Sequence, residues 1–285
     1  MRTLPSVPHV DDAPADFLDG GHLWVREAVE GGDCRFRLSD AGVVRFGDRD
    51  REFDADAIPE PYRHAVRYVR ERLDRAALRE AVGDVKAVTF FGTSTHRRGV
   101  DYDWASLPPF LGTDVRSASE EAFLPPDRAE RAFIRLGLTP VNTFAKEVRA
   151  VDFAPERYEF PESDWYDGPA AGVVLADKTG GRARLPNPEV EAADPATPAE
   201  FDPEERARAW ASDGRFDRVA ERLRAVGRPV TVETLYDRVL ESALREHHRE
   251  LREGASDDER RAFRTELAAR TRAFVSEEGS AVAGT

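Results

Sequence analysis

The chain has 285 residues, which is enough for one large domain or for a medium and a small one with a sizeable hydrophobic core. Its 55 acidic and 42 basic residues give a net charge of −13, and only Lys86, Lys146 and Lys178 among the basic residues are lysines. This charge disfavours broad, non-specific binding of nucleic acid, although a local cluster of arginines can still bind an anion.

The acidic, arginine-rich and lysine-poor composition indicates adaptation to high salt, where a short Debye length screens repulsion between carboxylates. We therefore expect a halophilic protein of the haloarchaeal type. Cys34 is the only cysteine, which excludes a disulfide framework and a thiolate metal site, and we expect it to be a small buried residue. The sequence begins without an apolar signal core and contains no long apolar run, so we expect a cytoplasmic protein with no membrane partner.

In chain order, residues 1–20 are predicted to be irregular, and two strands over 23–29 and 34–38 are predicted to pair with each other. The apolar spacing from Tyr62 to Val82 predicts one amphipathic helix. Further strands are predicted over 42–49, 87–92, 109–115, 170–175 and 182–185, and a short helix over 126–136. Strands that cluster in sequence instead of alternating with helices favour the α+β class.

The composition changes near Pro186. Residues 186–203 contain five prolines and few large apolar side chains, which is typical of a linker. We predict a first domain over 20–186, a linker over 187–198 and a helical domain over 199–277. Helices in the last of these are predicted over 203–213, 216–226, 232–253 and 257–277, with caps at Thr231 and at Ser256 or Asp257.

Five short stretches near predicted strand ends carry the remaining signal. They are 27–31 (Glu-Ala-Val-Glu-Gly), 45–49 (Arg-Phe-Gly-Asp-Arg), 90–93 (Phe-Phe-Gly-Thr), 110–115 (Phe-Leu-Gly-Thr-Asp-Val) and 171–175 (Ala-Gly-Val-Val-Leu), and the last is followed by Arg182-Ala183-Arg184. Each pattern alone is weak. Their order over residues 22–185 resembles that of the ATP-dependent RNA ligases in the covalent nucleotidyltransferase superfamily.

The resemblance implies two antiparallel sheets around a nucleotide cleft, followed by a helical C-terminal domain. It also implies ATP and Mg²⁺ as cofactors wherever the binding of this family is retained. The residues that it assigns to nucleotide binding are Glu27, Glu30, Gly31, Arg49, Phe110, Arg182 and Arg184, and Arg35 is a further candidate on the phosphate side.

Several functional positions of the family hold other residues here. Ala28 stands where the ligase lysine attacks the α-phosphate, and a methyl group cannot act as a nucleophile. Thr93 stands for the ribose-binding glutamate, and Ala171 stands for the metal-binding glutamate without offering an oxygen ligand. Arg182 and Arg184 replace paired lysines, and a guanidinium still binds phosphate. We therefore assign no catalytic residue and no metal ligand.

Three hypotheses for function stay open. The first is an RNA-ligase-like pseudoenzyme that binds a nucleotide or an RNA 5′-phosphate end, as a partner or regulator of an active ligase or RNA-repair relative. The second is a residual RNA ligase or nucleotidyltransferase that uses another nucleophile. The third is a structural or protein-interaction module that kept only the fold, with its arginines simply solvated on strands.

Overall fold

The computed structural model describes residues 6–190 and 201–283, with side chains described up to residue 277. The chain divides into two compact units, residues 1–193 and 194–285. Most of the predicted linker, residues 191–198, lies outside the described residues. The domain boundaries 20–186 and 199–277 stay a prediction.

The first unit contains two sheets in which every pair of neighbouring strands is antiparallel. Sheet A has the order β7-β1-β8-β9, with β1 at His22–Glu27, β7 at Thr143–Arg149, β8 at Gly172–Ala176 and β9 at Arg182–Pro186. Sheet B has the order β3-β2-β4-β5-β6, with β2 at Gly31–Leu38, β3 at Val44–Gly47, β4 at Val88–Thr95, β5 at Phe110–Ser117 and β6 at Ala122–Phe123. The predicted α+β class with two antiparallel sheets is confirmed.

Three helices cover one face of sheet B, namely α1 at Glu60–Arg72, α2 at Arg75–Ala81 and α3 at Pro126–Arg135. Between them and the sheet lies an aromatic core in which Phe36 stacks on Phe90 at 4.9 Å and Phe133 packs edge-on against Phe90. The prediction of one helix from Tyr62 to Val82 is wrong. Asp74 interrupts it, because its carboxylate accepts the amide N–H groups at the start of α2 and so caps a second helix.

The two strands predicted to pair around residues 28–33 do not pair with each other. β1 pairs with β7 and β8 in sheet A, whereas β2 pairs with β3 and β4 in sheet B. The intervening residues 28–30 form a crossover from one sheet to the other. Gly31 completes it with a φ of 155°, and a Cβ at this position would collide with the backbone carbonyl of Ser94. Pairing was predicted from closeness in sequence, which long-range partners overrode.

Sheet A has one apolar outer face and one mixed inner face. Alternation along β1 and β8 places Leu23, Val25 and Val173 on the outer face, where Phe17 and Phe153 cover them. The residues of sheet A on the opposite, inner face are Trp24, Arg26, Val174, Arg182 and Arg184. Two of these reach sheet B, so the inner faces of the two sheets enclose the candidate site.

The second unit consists of α4 at Pro203–Trp210, α5 at Asp213–Ala225, α6 at Val232–Gly254 and α7 at Asp257–Ala283. Phe216, Leu235 and Phe263 belong to its hydrophobic core. Thr231 begins α6 in a capping box, and the Ser256 hydroxyl accepts the Glu259 amide at the start of α7, as predicted for these helices. Within the described ranges, none of the helices combines the length and the apolar composition that a membrane crossing needs.

Candidate functional site

The crossover between the sheets is held by the Glu30 side chain. One carboxylate oxygen of Glu30 accepts the backbone amides of Arg98, Gly99 and Val100 at 3.1, 2.8 and 3.0 Å. The Glu30 amide in turn donates to the Tyr102 hydroxyl at 3.2 Å. Three amides on one carboxylate oxygen tie Glu30 to this loop, so Glu30 fixes the loop over 98–102.

Glu27, at the end of β1, lies in a second polar network. Its carboxylate is buried and accepts the Ser163 hydroxyl at 2.5 Å and the Asn142 amide at 3.1 Å. Burial raises the pKa of Glu27 although both hydrogen bonds act in the opposite direction. The two glutamates assigned to nucleotide binding therefore bond to the protein itself and hold the ends of the crossover.

Ala28, in the first of the five stretches, and Ala171, in the fifth, meet at the crossover. The Ala28 amide donates to the Gly172 carbonyl at 3.0 Å, immediately after Ala171, and Glu27 pairs with Val173 in the sheet. Ala28 and Ala171 are thus neighbours at the crossover. Both carry only a methyl group.

Thr93, in the third stretch, lies next to the same crossover. Thr93 pairs with Asp33, and a Cβ on Gly31 would lie 2.7 Å from the Thr93 methyl carbon. Arg184 lies on β9 opposite Val174, exposed on the inner face of sheet A. The structure therefore brings Ala28, Thr93 and Ala171 to the crossover and places Arg184 farther along the sheet.

A buried ion cluster joins the two sheets. Asp114 on β5 accepts Arg182 of β9 at 2.6 and 3.2 Å and Arg26 of β1 at 3.3 Å, and Arg26 also donates to the Thr113 carbonyl at 2.8 Å. Burial opposes ionisation of Asp114, but the two guanidiniums outweigh it and hold the pKa of this carboxyl below its usual value. The guanidinium of Arg182 also lies 4.4 Å from the centre of the Phe123 ring.

Sequence analysis assigned Arg182 to the site but did not predict the other two members of this cluster. Arg26 and Asp114 each occupy a buried position next to apolar residues of their strands, and a charge at a buried position requires a partner of opposite charge. Two other arginines assigned to phosphate are also beside carboxylates. Arg49 donates to Asp33 at 2.7 and 2.6 Å, and Arg35 is buried with its pKa lowered by burial against the opposing effect of Asp48 and other carboxylates.

The assignment of Phe110 to nucleotide binding does not agree with its position. Its side chain is fully buried in the core behind sheet B, where it lies 5.6 Å from Phe36 and 6.2 Å from Phe133 between ring centres. Alternation along β5 turns Phe110 toward the helices and away from the inner face. It therefore cannot stack on a ligand between the sheets.

None of the three lysines lies at the crossover. Lys86 pairs with Asp40, Lys146 with Glu130 and Lys178 with Glu147, all at 2.7 to 2.8 Å. Lys178 also contacts the ring of Trp24, which is four strand residues and about 13 Å from Ala28. Cys34 is buried, and burial raises the pKa of its thiol to about 12, so it stays protonated and unreactive.

The residues present do not fit a catalytic Mg²⁺ or Mn²⁺ ion. Among the described residues, no three His, Cys, Asp or Glu side chains form a group that could hold a metal. Next to Ala171, the carboxylate of Glu27 is already bound by Ser163 and Asn142. We therefore derive no metal-dependent step.

Comparison with known proteins identifies the fold. No protein-family model matches the chain, and no curated protein matches it significantly. Three structures of variants of the Naegleria gruberi RNA ligase, each with ATP and Mn, match with TM-scores of 0.50, 0.50 and 0.51 and identities of 11, 12 and 12%. The matches cover 65 to 66% of this chain and 56% of the ligase chain.

The chain therefore has an RNA-ligase-like nucleotidyltransferase fold. Identities of 11 to 12% show the fold alone, and this chain spans little more than half of the ligase.

Proposed function

We propose that this protein is an RNA-ligase-like binder of nucleotides or RNA 5′-phosphate ends that does not form a covalent adenylate. The observation that carries the proposal is the meeting of Ala28 and Ala171 at the crossover, through the bond from the Ala28 amide to the Gly172 carbonyl. The fold keeps the two positions together, and neither of them supplies a reactive group.

The absence of an amine at Ala28 removes the covalent step. Self-adenylylation requires a nitrogen to bond to the α-phosphorus while pyrophosphate leaves, and the Ala28 methyl has no lone pair. The three lysines form ion pairs elsewhere and Cys34 is buried, so none of these four side chains substitutes for it.

Non-covalent binding needs hydrogen-bond donors on the inner faces. Arg184 is exposed there on β9, and the Thr93 hydroxyl lies near the crossover. A guanidinium binds a phosphate with two hydrogen bonds, which suits a nucleotide or a 5′-phosphate end. We propose that Arg184 is the principal phosphate contact, because Arg182 is already held by Asp114.

The test is an adenylylation assay together with direct binding. The wild-type protein is incubated with α-labelled ATP and Mg²⁺ or Mn²⁺, and binding of ATP, AMP and 5′-phosphorylated RNA is measured by calorimetry. We expect no labelled protein, measurable binding of AMP, and weaker binding after Arg184→Ala. The matched control is Arg157→Ala, because Arg157 is 84% exposed and lies outside both sheets.

Two results would overturn the proposal. A labelled wild-type protein would show a residual nucleotidyltransferase with another nucleophile. Absence of any binding to ATP, AMP and 5′-phosphorylated RNA would favour the second candidate function, a structural or protein-interaction module. That candidate is supported by the internal bonds of Glu27, Glu30, Arg49 and Arg182, which engage four of the seven assigned residues.

The variant Ala28→Lys, Thr93→Glu, Ala171→Glu tests the alignment of the motifs. It restores the amine and both carboxylates at neighbouring positions, so a labelled triple variant would support the assignment of the crossover. We propose an active ligase or RNA-repair protein as the natural partner of the wild-type chain, and co-purification from its own cells tests that step.

A further inference from the structure

Three arginines form a row across the inner face of sheet B, away from the crossover. Arg37 on β2 pairs directly with Arg45 on β3, and Arg116 on β5 pairs with Thr89 on β4. Because Phe36 pairs with Phe90, the next residues, Arg37 and Thr89, come to the same level of the sheet. We call Arg45, Arg37 and Arg116 the arginine row.

The three arginine side chains lie on the face opposite the core. Phe36, Phe46, Phe90 and Val115 alternate with them along the strands, and all four are buried under the helices. Arg45 is exposed, and the side chain of Arg37 is 36% exposed. With adjacent strands 4.7 to 4.9 Å apart, the row spans three strand spacings, or about 14 Å.

Internal carboxylates neutralise this row poorly. Among the described residues, Arg45 makes no ion pair, and Arg116 donates only to the backbone carbonyl of Glu121 at 3.2 Å. Arg37 reaches the Glu52 carboxylate at 3.9 Å, the outer limit of an ion pair. Some exposed arginines elsewhere do pair closely with a carboxylate, as Arg131 does with Asp127 at 2.8 Å.

The pairing of Arg37 with Arg45 is unfavourable in the protein alone. Like charges directly opposite one another on neighbouring strands destabilise a sheet, and an anion bound between them removes that repulsion. Two adjacent guanidiniums offer paired donors that match phosphate oxygens. In a chain with a net charge of −13, this local excess of positive charge indicates an anionic partner.

An aromatic side chain extends the row by one strand. Phe123 on β6 pairs with Arg116, so it lies on the same face; its side chain is partly buried, and one side of its ring lies against the Arg182 guanidinium at 4.4 Å. Base stacking on an aromatic ring combined with a line of cations is the usual way to bind single-stranded nucleic acid without sequence preference. An acidic peptide would form ion pairs with the arginines, but it has no base to stack on the Phe123 ring.

We infer that the arginine row binds the phosphodiester backbone of single-stranded RNA, with a base against Phe123. The choice of RNA over another polyanion rests on the proposed function. The inference that the arginine row binds an anion rests on the sheet register and on the weak ion pairing of its three arginines. The row lies beyond Asp114 from the crossover, so it can bind the body of a strand whose 5′ end lies elsewhere in the cleft.

The experiment measures fluorescence anisotropy of a 3′-labelled RNA of about 12 nucleotides that carries a 5′-hydroxyl, titrated at increasing salt. Each phosphate contact contributes about −0.7 to the slope of log K against log salt for single strands, so three contacts give a slope near −2. We expect the variant Arg37→Ala, Arg45→Ala, Arg116→Ala to lose at least tenfold in affinity at about 0.1 M salt and most of this slope.

The control variant changes the net charge by the same amount at other exposed arginines of the same unit, namely Arg131→Ala, Arg149→Ala and Arg157→Ala. It should keep the affinity and the slope. An equal loss in both triple variants, or no loss in the first, would overturn the inference, as would tighter binding of a polyglutamate peptide of equal charge. Far-UV circular dichroism verifies that both variants are folded.

AMP binding by the same variants separates this inference from the proposed function. If the wild type binds AMP and RNA but the row variant still binds RNA normally, only the arginine row is refuted. If the wild type binds RNA through the row but binds neither AMP nor a 5′-phosphate end, the proposed function fails and the row stands.

Discussion

Asp114 and Arg182 tie the two sheets of the first unit together. Nη2 of Arg182 lies 2.6 Å from Oδ1 of Asp114, and their side chains are 9% and 5% exposed. Arg26, on the same face of sheet A but two strands away on β1, donates to the same oxygen. One carboxylate therefore faces two buried guanidiniums, which makes it the group whose loss leaves the most uncompensated charge.

We predict that Asp114→Asn destabilises the protein by about 3 to 5 kcal/mol, because it leaves two buried cations without a counter-ion. Urea unfolding measures the effect. The control is Asp127→Asn, which breaks an ion pair with Arg131 that is 69% exposed and should cost at most about 1 kcal/mol. Similar losses in the two variants would contradict the role of the buried cluster.

Glu27 should make stability depend on pH in the opposite sense from a salt-bridged carboxylate. Its folded pKa is raised by burial, so the folded state holds the proton more tightly than the unfolded state does. The contribution is fully present below the unfolded pKa, near 4.3, and is lost as pH rises through the folded pKa. In Glu27→Gln, this fall in stability should be absent, as measured by urea midpoints from about pH 4 to pH 8.

Ser163→Ala tests the same pH dependence through the hydrogen-bond partner of Glu27. The Ser163 hydroxyl stabilises the Glu27 carboxylate, so its removal raises the Glu27 pKa further and should extend the fall in stability to higher pH. If wild type and both variants respond identically to pH, Glu27 does not titrate in that range.

Gly31→Ala should destabilise the protein by more than about 2 kcal/mol. The new Cβ would overlap the Ser94 carbonyl and lie 2.7 Å from the Thr93 methyl, and the φ of 155° disfavours any other residue. Thermal unfolding should show a fall of roughly 4 °C or more. Gly83→Ala is the control, because an added Cβ there meets nothing within 4 Å; an equal fall in both would contradict the close approach of β2 and β4.

Phe110→Leu separates packing from binding. The side chain fills the core between Phe36 and Phe133, so we expect a loss of about 1 to 3 kcal/mol from imperfect repacking. Affinity for AMP, measured by calorimetry below the unfolding range, should not change. A selective loss of AMP binding without loss of stability would return Phe110 to the nucleotide site.

The hydrophobic pattern and the order of the motifs were sufficient to predict the fold class, but not the strand partners. The sequence around Gly31 resembles a hairpin because closeness along the chain favours pairing, and only the long-range partners β7, β8 and β4 assign its two strands to different sheets. β7 was missed altogether. It is a largely polar edge strand with a positive φ at Glu147, and its pairing with β1 determines its conformation.

The closeness of Ala28, Ala171 and Thr93 was predicted better than the bonding of the charged side chains around them. The motif order brought Ala28, Ala171 and Thr93 to one crossover, whereas the partners of the charged residues could not be read locally. Arg26 and Asp114 are 88 residues apart in the chain, and their hydrogen bond depends on how the two sheets face each other. Sequence patterns predict on which face of a strand a side chain lies. They do not predict which charged residue of another sheet it will contact.

The three consecutive backbone amides of residues 98–100 donate to one oxygen and so form a concave backbone nest, the kind of feature that holds phosphate in many proteins. In this protein the nest already binds an anion, the carboxylate of Glu30. Because Glu30 belongs to the same chain, its effective concentration at the nest is high. An incoming phosphate would have to displace that built-in competitor. Anionic ligands are therefore directed away from the loop and toward the guanidiniums of the strands.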